Sequence, residues 1–244
     1  MEKDLVLCCK LQKPYVQARR KNGEITYGGD QGFFKGGAPG SVEERKSAMG
    51  CGVVAFSDLL LYLGTGDQSR ETPESERYVN RINDEADYCS YYNCIYDFIG
   101  GVSARNGISG IRLMMRFNRL ARREHWEMRA IWGLGSGKLY GRIEEMLKQD
   151  IPVILCIPIM LLKKDKKDGV SFYRRGDEWK KETTVSAHFV VVTGMVQECG
   201  SGEIFLEISS WGKKYYINWN EYEKLIRTHF LGTILGNILY IRKR

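Results

Sequence analysis

The second half of this 244-residue chain is dominated by runs of branched and other apolar residues. They are Pro152 to Ile159, Val185 to Val196, Ile204 to Ser210 and Tyr215 to Trp219. Runs of this composition predict β-strands. A last strand is expected from Leu235 to Arg242, and shorter ones at Leu5 to Leu11 and Trp126 to Trp132. The first half instead carries apolar residues at helical spacing. Helices first and mostly antiparallel strands after make an α+β arrangement. It is expected as one domain, with an elaborated helical part at 66–135 and a β-rich half at 136–244.

The helical pattern is clearest from Cys51 to Tyr62, where Val54, Ala55, Leu59 and Tyr62 share the inner spacing and Gly64-Thr65-Gly66 ends the run. Just before it, Ser41-Val42-Glu43-Glu44 resembles a capping box opening a short turn. Pro73 suits the first turn of a helix from Glu74 to Phe98, with a break near Asn83. The dense tyrosines and cysteines of that segment, Tyr88 to Tyr96, read as an aromatic packing face rather than a ligand set. Ser109 is placed to cap a basic helix from Ile111 to Arg122. Its arginines read as a solvated face, or alternatively as a docking surface for an acidic partner. Ser136 is expected to cap a helix from Lys138 to Lys148, and Asn220 with Glu223 to cap one ending near Arg227. The glycine-rich stretch Tyr27 to Gly40 reads as a surface loop beside a cleft, and Lys163 to Lys181 as a long exposed hairpin or loop. Gly133 to Lys138 fails as a phosphate loop, because Leu139 stands where a hydroxyl is required.

Composition narrows the function classes. The net charge of +7 is modest and spread widely, so it does not point to nucleic acid. Seven cysteines, odd in number and irregular in spacing, suit a reducing compartment better than a disulfide framework. With three histidines and no CxxC, no metal site or other cofactor is expected. The longest apolar run, Ile151 to Leu162, is about 12 residues and too short to span a bilayer. The first ten residues carry acids and too short an apolar run for a signal peptide. A cytoplasmic protein is therefore the expectation.

Chemistry is concentrated at a few positions. Cys51 stands between Gly50 and Gly52 at the expected start of its helix. There the free backbone N–H groups and the positive end of the dipole favour a thiolate and can serve an oxyanion. The alternative is a small buried cysteine. A cysteine nucleophile needs a base, and the base an orienting group. His125 sits in a charged run and reads as exposed, while His229 lies near a helix end. His188 opens the apolar run His188-Phe189-Val190-Val191-Val192-Thr193-Gly194, either as a rim residue or as a base. In Leu206-Glu207-Ile208-Ser209-Ser210-Trp211-Gly212, alternation puts Glu207, Ser209 and Trp211 on one face. If this strand pairs with the His188 strand, Ser209 or Glu207 can hold the imidazole while Trp211 screens it from water.

Three stretches together, Cys51-Gly52-x-x-Ala55, His188-Phe189-Val190-Val191-Val192 and Ser209-Ser210-Trp211-Gly212, resemble the papain-like cysteine peptidases. The similarity is closest to the branch that cleaves leader peptides after double-glycine sites. It covers roughly 40–65 and 138–220, with nothing recognisable over 66–135. The resemblance implies a papain-like fold acting on a peptide or protein substrate. Cys51 would be the nucleophile, His188 the base and Ser209 its orienter, with Glu207 as fallback. The family's oxyanion glutamine, six residues before the cysteine, is replaced by Arg45, so Arg45 or Lys46 would have to donate. That departure keeps open an alternative: a papain-fold module that recognises a peptide without cleaving it.

Overall fold

The computed structural model describes residues 5–64, 82–158, 169–227 and 232–243. Pro73, the first part of the helix expected from Glu74, the stretches 159–162 and 163–168, and His229 lie outside the described residues. The chain forms two compact units. One comprises Met1–Pro14, Trp132–Ser209 and Lys214–Tyr240; the other Tyr15–Ile131, Ser210–Lys213 and Ile241–Arg244. The mixture of helices and antiparallel strands is the α+β class expected.

The first unit is organised on a sheet. Its strands are β1 (Leu5–Lys10), β3 (Val153–Ile157), β4 (Val170–Arg175), β5 (Trp179–Val185), β6 (His188–Glu198), β7 (Ile204–Ser210), β8 (Lys213–Asn218) and β9 (Ile238–Lys243), of which Ser210, Lys213 and the end of β9 from Ile241 count in the second unit. They run in the order β9-β3-β6-β7-β8-β4-β5. β6 is central. One of its edges pairs with β3 over His188–Val192 and then with β1 over Gly194–Glu198; the other pairs with β7. Every β6 residue except Gln197 is buried, as expected of a strand covered on both sides. Helix α5 (Leu139–Lys148) packs Ile143, Met146 and Leu147 inward against β1, β3 and β6. Helix α6 (Trp219–Arg227) packs against β4, and Glu221 accepts from the Ser171 backbone N–H and the Tyr173 hydroxyl.

The run read as one strand from Val185 is two. Val185 ends β5, Ala187 takes a left-handed backbone (φ 52°), and β6 begins at His188. Two capping expectations are corrected. Asn218, not Asn220, accepts from the Glu221 N–H at the start of α6. Ser136 makes no side-chain cap on α5; its hydroxyl accepts from Arg227 Nε.

The second unit is helical: α1 (Val42–Met49), α2 (Cys51–Gly64), α3 (Glu85–Ile99) and α4 (Gly110–Arg123), with strand β2 (Met128–Trp132) starting within it. Ser41 caps α1, its hydroxyl accepting from Glu44 N–H, and the expected short turn extends to eight residues. Glu44 returns a carboxylate oxygen to Gly40 N–H. Asp84 caps α3, and Gly100 ends it in the left-handed conformation. All of α2 after Cys51 is buried. Tyr88, Tyr91, Tyr92, Ile95 and Ile99 form the buried face of α3, the packing face expected.

The first part of the glycine-rich stretch departs from a surface loop, while most of 35–40 is exposed as expected. Thr26 and Gly28 to Asp30 are buried, because their backbone groups find internal partners. Tyr27 N–H donates to Gly212 O, and Gly212 N–H donates to Gly29 O. Gly29 N–H donates to the Asp58 carboxylate on α2, and a Cβ on Gly29 would lie 1.9 Å from the Tyr88 hydroxyl. No single described helix is long and apolar enough to cross a membrane; α1 and α2 reach the length only together, across a 77° bend.

Candidate functional site

The cysteine half of the candidate site belongs to the helical unit. α1 ends at Gly50, whose carbonyl accepts from the N–H groups of both Val53 and Val54, and α2 begins at once with Cys51. Gly50 is required by space rather than by φ: a Cβ there would lie 2.1 Å from Lys46 O and 2.5 Å from the Tyr92 hydroxyl. The chain therefore turns hard between two helices, and Cys51 stands half-buried at the first position of a helix otherwise wholly buried. The first N–H groups of such a helix have no partner within it and point past its N-terminal end. Gln31 supports the turn from the other side, its amide N–H donating to Ser47 O at 2.8 Å, one of the carbonyls left over where α1 stops.

Beside this turn lies an aromatic cage. Phe34, Tyr92 and Tyr96 pack with ring centroids 4.5 and 6.1 Å apart, and the Lys46 ammonium sits over Phe34 (5.5 Å) and Tyr96 (5.2 Å). Lys46 is buried, with Glu43 at 3.9 Å. Arg45 donates to Gly40 O at 3.4 Å. The two expected oxyanion donors are thus engaged on α1 and its flanking loop. Sequence reasoning passed over Tyr92. Its hydroxyl is fully buried beside Gly50 and has no hydrogen-bond partner among the described residues. Burial holds its phenol well above the usual range, with Tyr96, Cys51 and Cys89 adding to the rise. Nothing in a segment of six tyrosines and cysteines marks a buried phenol left without a partner.

Trp211 and Gly212 also fall in the helical unit. Trp211 adopts φ 50° and its carbonyl accepts from Arg20 at 3.4 Å, while Arg20 also pairs with the Asp30 carboxylate.

The histidine half belongs to the sheet unit. His188 opens β6 opposite Ile157 of β3, is 7% exposed, and has Phe172 at 6.3 Å between ring centroids. Burial pushes its imidazole down to about 4, so it is neutral at pH 7, the state a general base must occupy. The same shift is a stability statement. Between about pH 6.5 and 4 the unfolded chain holds the proton and the folded chain does not, so stability falls as pH falls through that window. A His188→Gln variant should lose about 3 kcal/mol of this acid-side dependence. Urea unfolding of both proteins at pH 7 and pH 4.5 reads it directly; parallel pH dependence would contradict it.

β7 does pair with β6, but in a register that alternation alone could not supply. Ser209 stands opposite Val191 and Ile208 opposite Val192. Directly opposed residues share a face, and His188 lies three residues from Val191, so Ser209 and Glu207 take the face opposite to that of His188. Ile208 holds the His188 face. Glu207 is engaged elsewhere: it accepts from the Thr193 and Tyr216 hydroxyls, both at 3.2 Å, with Lys214 at 3.1 Å. Ser209 and Ser210 are both buried. Among the described residues no group of three or more His, Cys, Asp or Glu is placed to hold a metal ion.

No protein-family model, curated protein or solved structure matches this chain.

Proposed function

We propose that the chain is a papain-like cysteine hydrolase acting on a peptide or amide bond. Cys51 attacks the substrate carbonyl carbon as a thiolate, and its proton goes to His188. The tetrahedral intermediate collapses to a thioester as the amine leaves with that proton. Water then hydrolyses the thioester and regenerates the thiol. The observation that carries the reading is the place of Cys51, the one half-exposed position at the head of an otherwise buried helix. The neutral imidazole of His188 and the resemblance of the three motifs support it. The N–H groups at the start of α2 are the donors best suited to the oxyanion.

A second reading is a peptide-binding module that does not cleave. It is favoured by the engagement of Arg45 with Gly40 and of Lys46 with the aromatic cage. Turnover on a library of peptide amides separates the two. Cleavage that disappears in Cys51→Ala supports the hydrolase, and binding without cleavage by the wild-type chain supports the module.

A further inference from the structure

Helix α4 buries Leu113, Phe117, Leu120 and Ala121, and this inner face packs against α2 and α3, with Phe117 meeting Phe56 at 6.5 Å. Its outer face has an unusual make-up. Ile111 and Met115, one turn apart, are 48% and 54% exposed. Helical spacing continues their stripe through Arg119 and Arg122, with Arg116 on its flank. The helix contains five arginines and no acid. Arg112 is used internally, donating to the Ile99 and Gly100 carbonyls at 2.8 Å, and Arg123 is engaged with Glu124 and the Phe98 ring. Arg116, Arg119 and Arg122 make no ion pair among the described residues.

The stripe runs into a cleft of about 440 Å³ lined by Ala121, Arg122, His125, Trp126 and Glu127. His125 holds a left-handed backbone (φ 54°) at its rim. Trp126 is 95% buried by its 5% exposure, and its indole N–H has no acceptor among the described residues. On the far side of the stripe, Asn118 clamps the β2 backbone, donating to Ala130 O and accepting from Ala130 N, both at 2.8 Å. The face is therefore fixed, basic and carries two apolar anchors at i, i+4 spacing.

We propose that this face docks an acidic amphipathic segment of a partner protein, with apolar side chains on Ile111 and Met115 and carboxylates on Arg116, Arg119 and Arg122. Charge complementarity selects the acidic partner, and the paired apolar anchors select a peptide, read as in helix-in-groove recognition. A nucleic-acid backbone would set phosphates against Ile111 and Met115 and offers them nothing. A lipid surface would leave the cleft unfilled. This surface operates whether or not Cys51 is a nucleophile.

Fluorescence anisotropy with a labelled amphipathic helix of glutamate and leucine, using the whole chain, tests it. Binding should weaken by roughly a hundredfold in Met115→Glu/Arg119→Glu. It should be unchanged in Lys180→Glu/Lys181→Glu on β5 of the other unit, a charge reversal larger than that of the test pair. Both pairs of sites are on the surface, and unfolding curves confirm that each variant folds. Equal weakening in both variants overturns the proposal. So does equally tight binding of polyglutamate without leucine, or tighter binding of phosphatidylserine vesicles or duplex DNA.

Discussion

Turnover of a peptide amide is expected to fall by about three orders of magnitude when His188 is replaced by alanine, the middle of the usual range for a positioned general base. Cys51→Ala should remove it altogether, because the proposed thioester forms on its sulfur. Ser209 provides a finer comparison. Register puts it beside Val191, on the sheet face away from His188. Ser209→Ala should therefore lower kcat far less than His188→Ala. Steady-state kinetics of the three variants, with unfolding midpoints to exclude misfolding, give the answer. A comparable loss in Ser209→Ala would mean that the orienting role falls where the motif alone puts it.

The second large effect concerns stability and centres on Asp58, seven residues after Cys51 on α2. Its carboxylate is 1% exposed and accepts from the Tyr88 hydroxyl at 2.7 Å, the Tyr15 hydroxyl at 3.2 Å and the Gly29 N–H at 3.0 Å. It ties three segments of the helical unit to one point. Asp58→Ala leaves two buried hydroxyls and a backbone N–H without their acceptor, a loss of about 3–5 kcal/mol. Tyr88→Phe, which removes one donor, should cost about 1–2 kcal/mol.

The pH signature of Asp58 has the opposite sign to that of His188. Burial outweighs the three donors and raises the Asp58 carboxyl from 3.8 to about 6. Between those values the folded chain holds the extra proton, so this group's contribution to stability falls as pH rises from about 4 to 6. Relative to Asp58→Asn, the wild-type chain should lose about 3 kcal/mol across that window. Urea unfolding at pH 4 and 6.5 measures it. A wild type that gains on the variant over the same range would show that the hydrogen bonds, not burial, dominate.

Much of the fold is legible in the sequence because burial leaves a compositional record. The valine run of β6 and the wholly apolar body of α2 admit few other structures, and both helix α4 and its Ser109 cap stand where their pattern puts them. What composition does not record is where backbone groups go. Ala187 breaks one apolar run into two strands through a left-handed turn that alanine rarely adopts, so no residue type announces it. Glycines between Tyr27 and Asp30 read as loop, yet Gly29 is there to let Tyr88 and Asp58 approach the backbone. In the candidate site, the helix-start position of Cys51 and the strand-start position of His188 are both readable. Strand parity is not: a shift of one residue moves every side chain to the other face, and only the observed pairing sets the face of Ser209. The unpartnered hydroxyl of Tyr92 is likewise invisible, since a phenol lacking an acceptor has the same letter as its neighbours.

The central claim is that His188 activates Cys51, and competitive alkylation tests it most directly. Substoichiometric iodoacetamide is added to the native chain at pH 7, and labelling is read at each cysteine by peptide mass mapping. Burial pushes Cys9 and Cys89 up to about 11, which keeps them as unreactive thiols. The informative rivals are exposed Cys94 and Cys199 and half-buried Cys156. Cys51 should be labelled ahead of all three, and His188→Ala should abolish that lead while leaving the rivals unchanged. A Cys51 no more reactive than Cys156, or a lead that survives His188→Ala, would contradict the account.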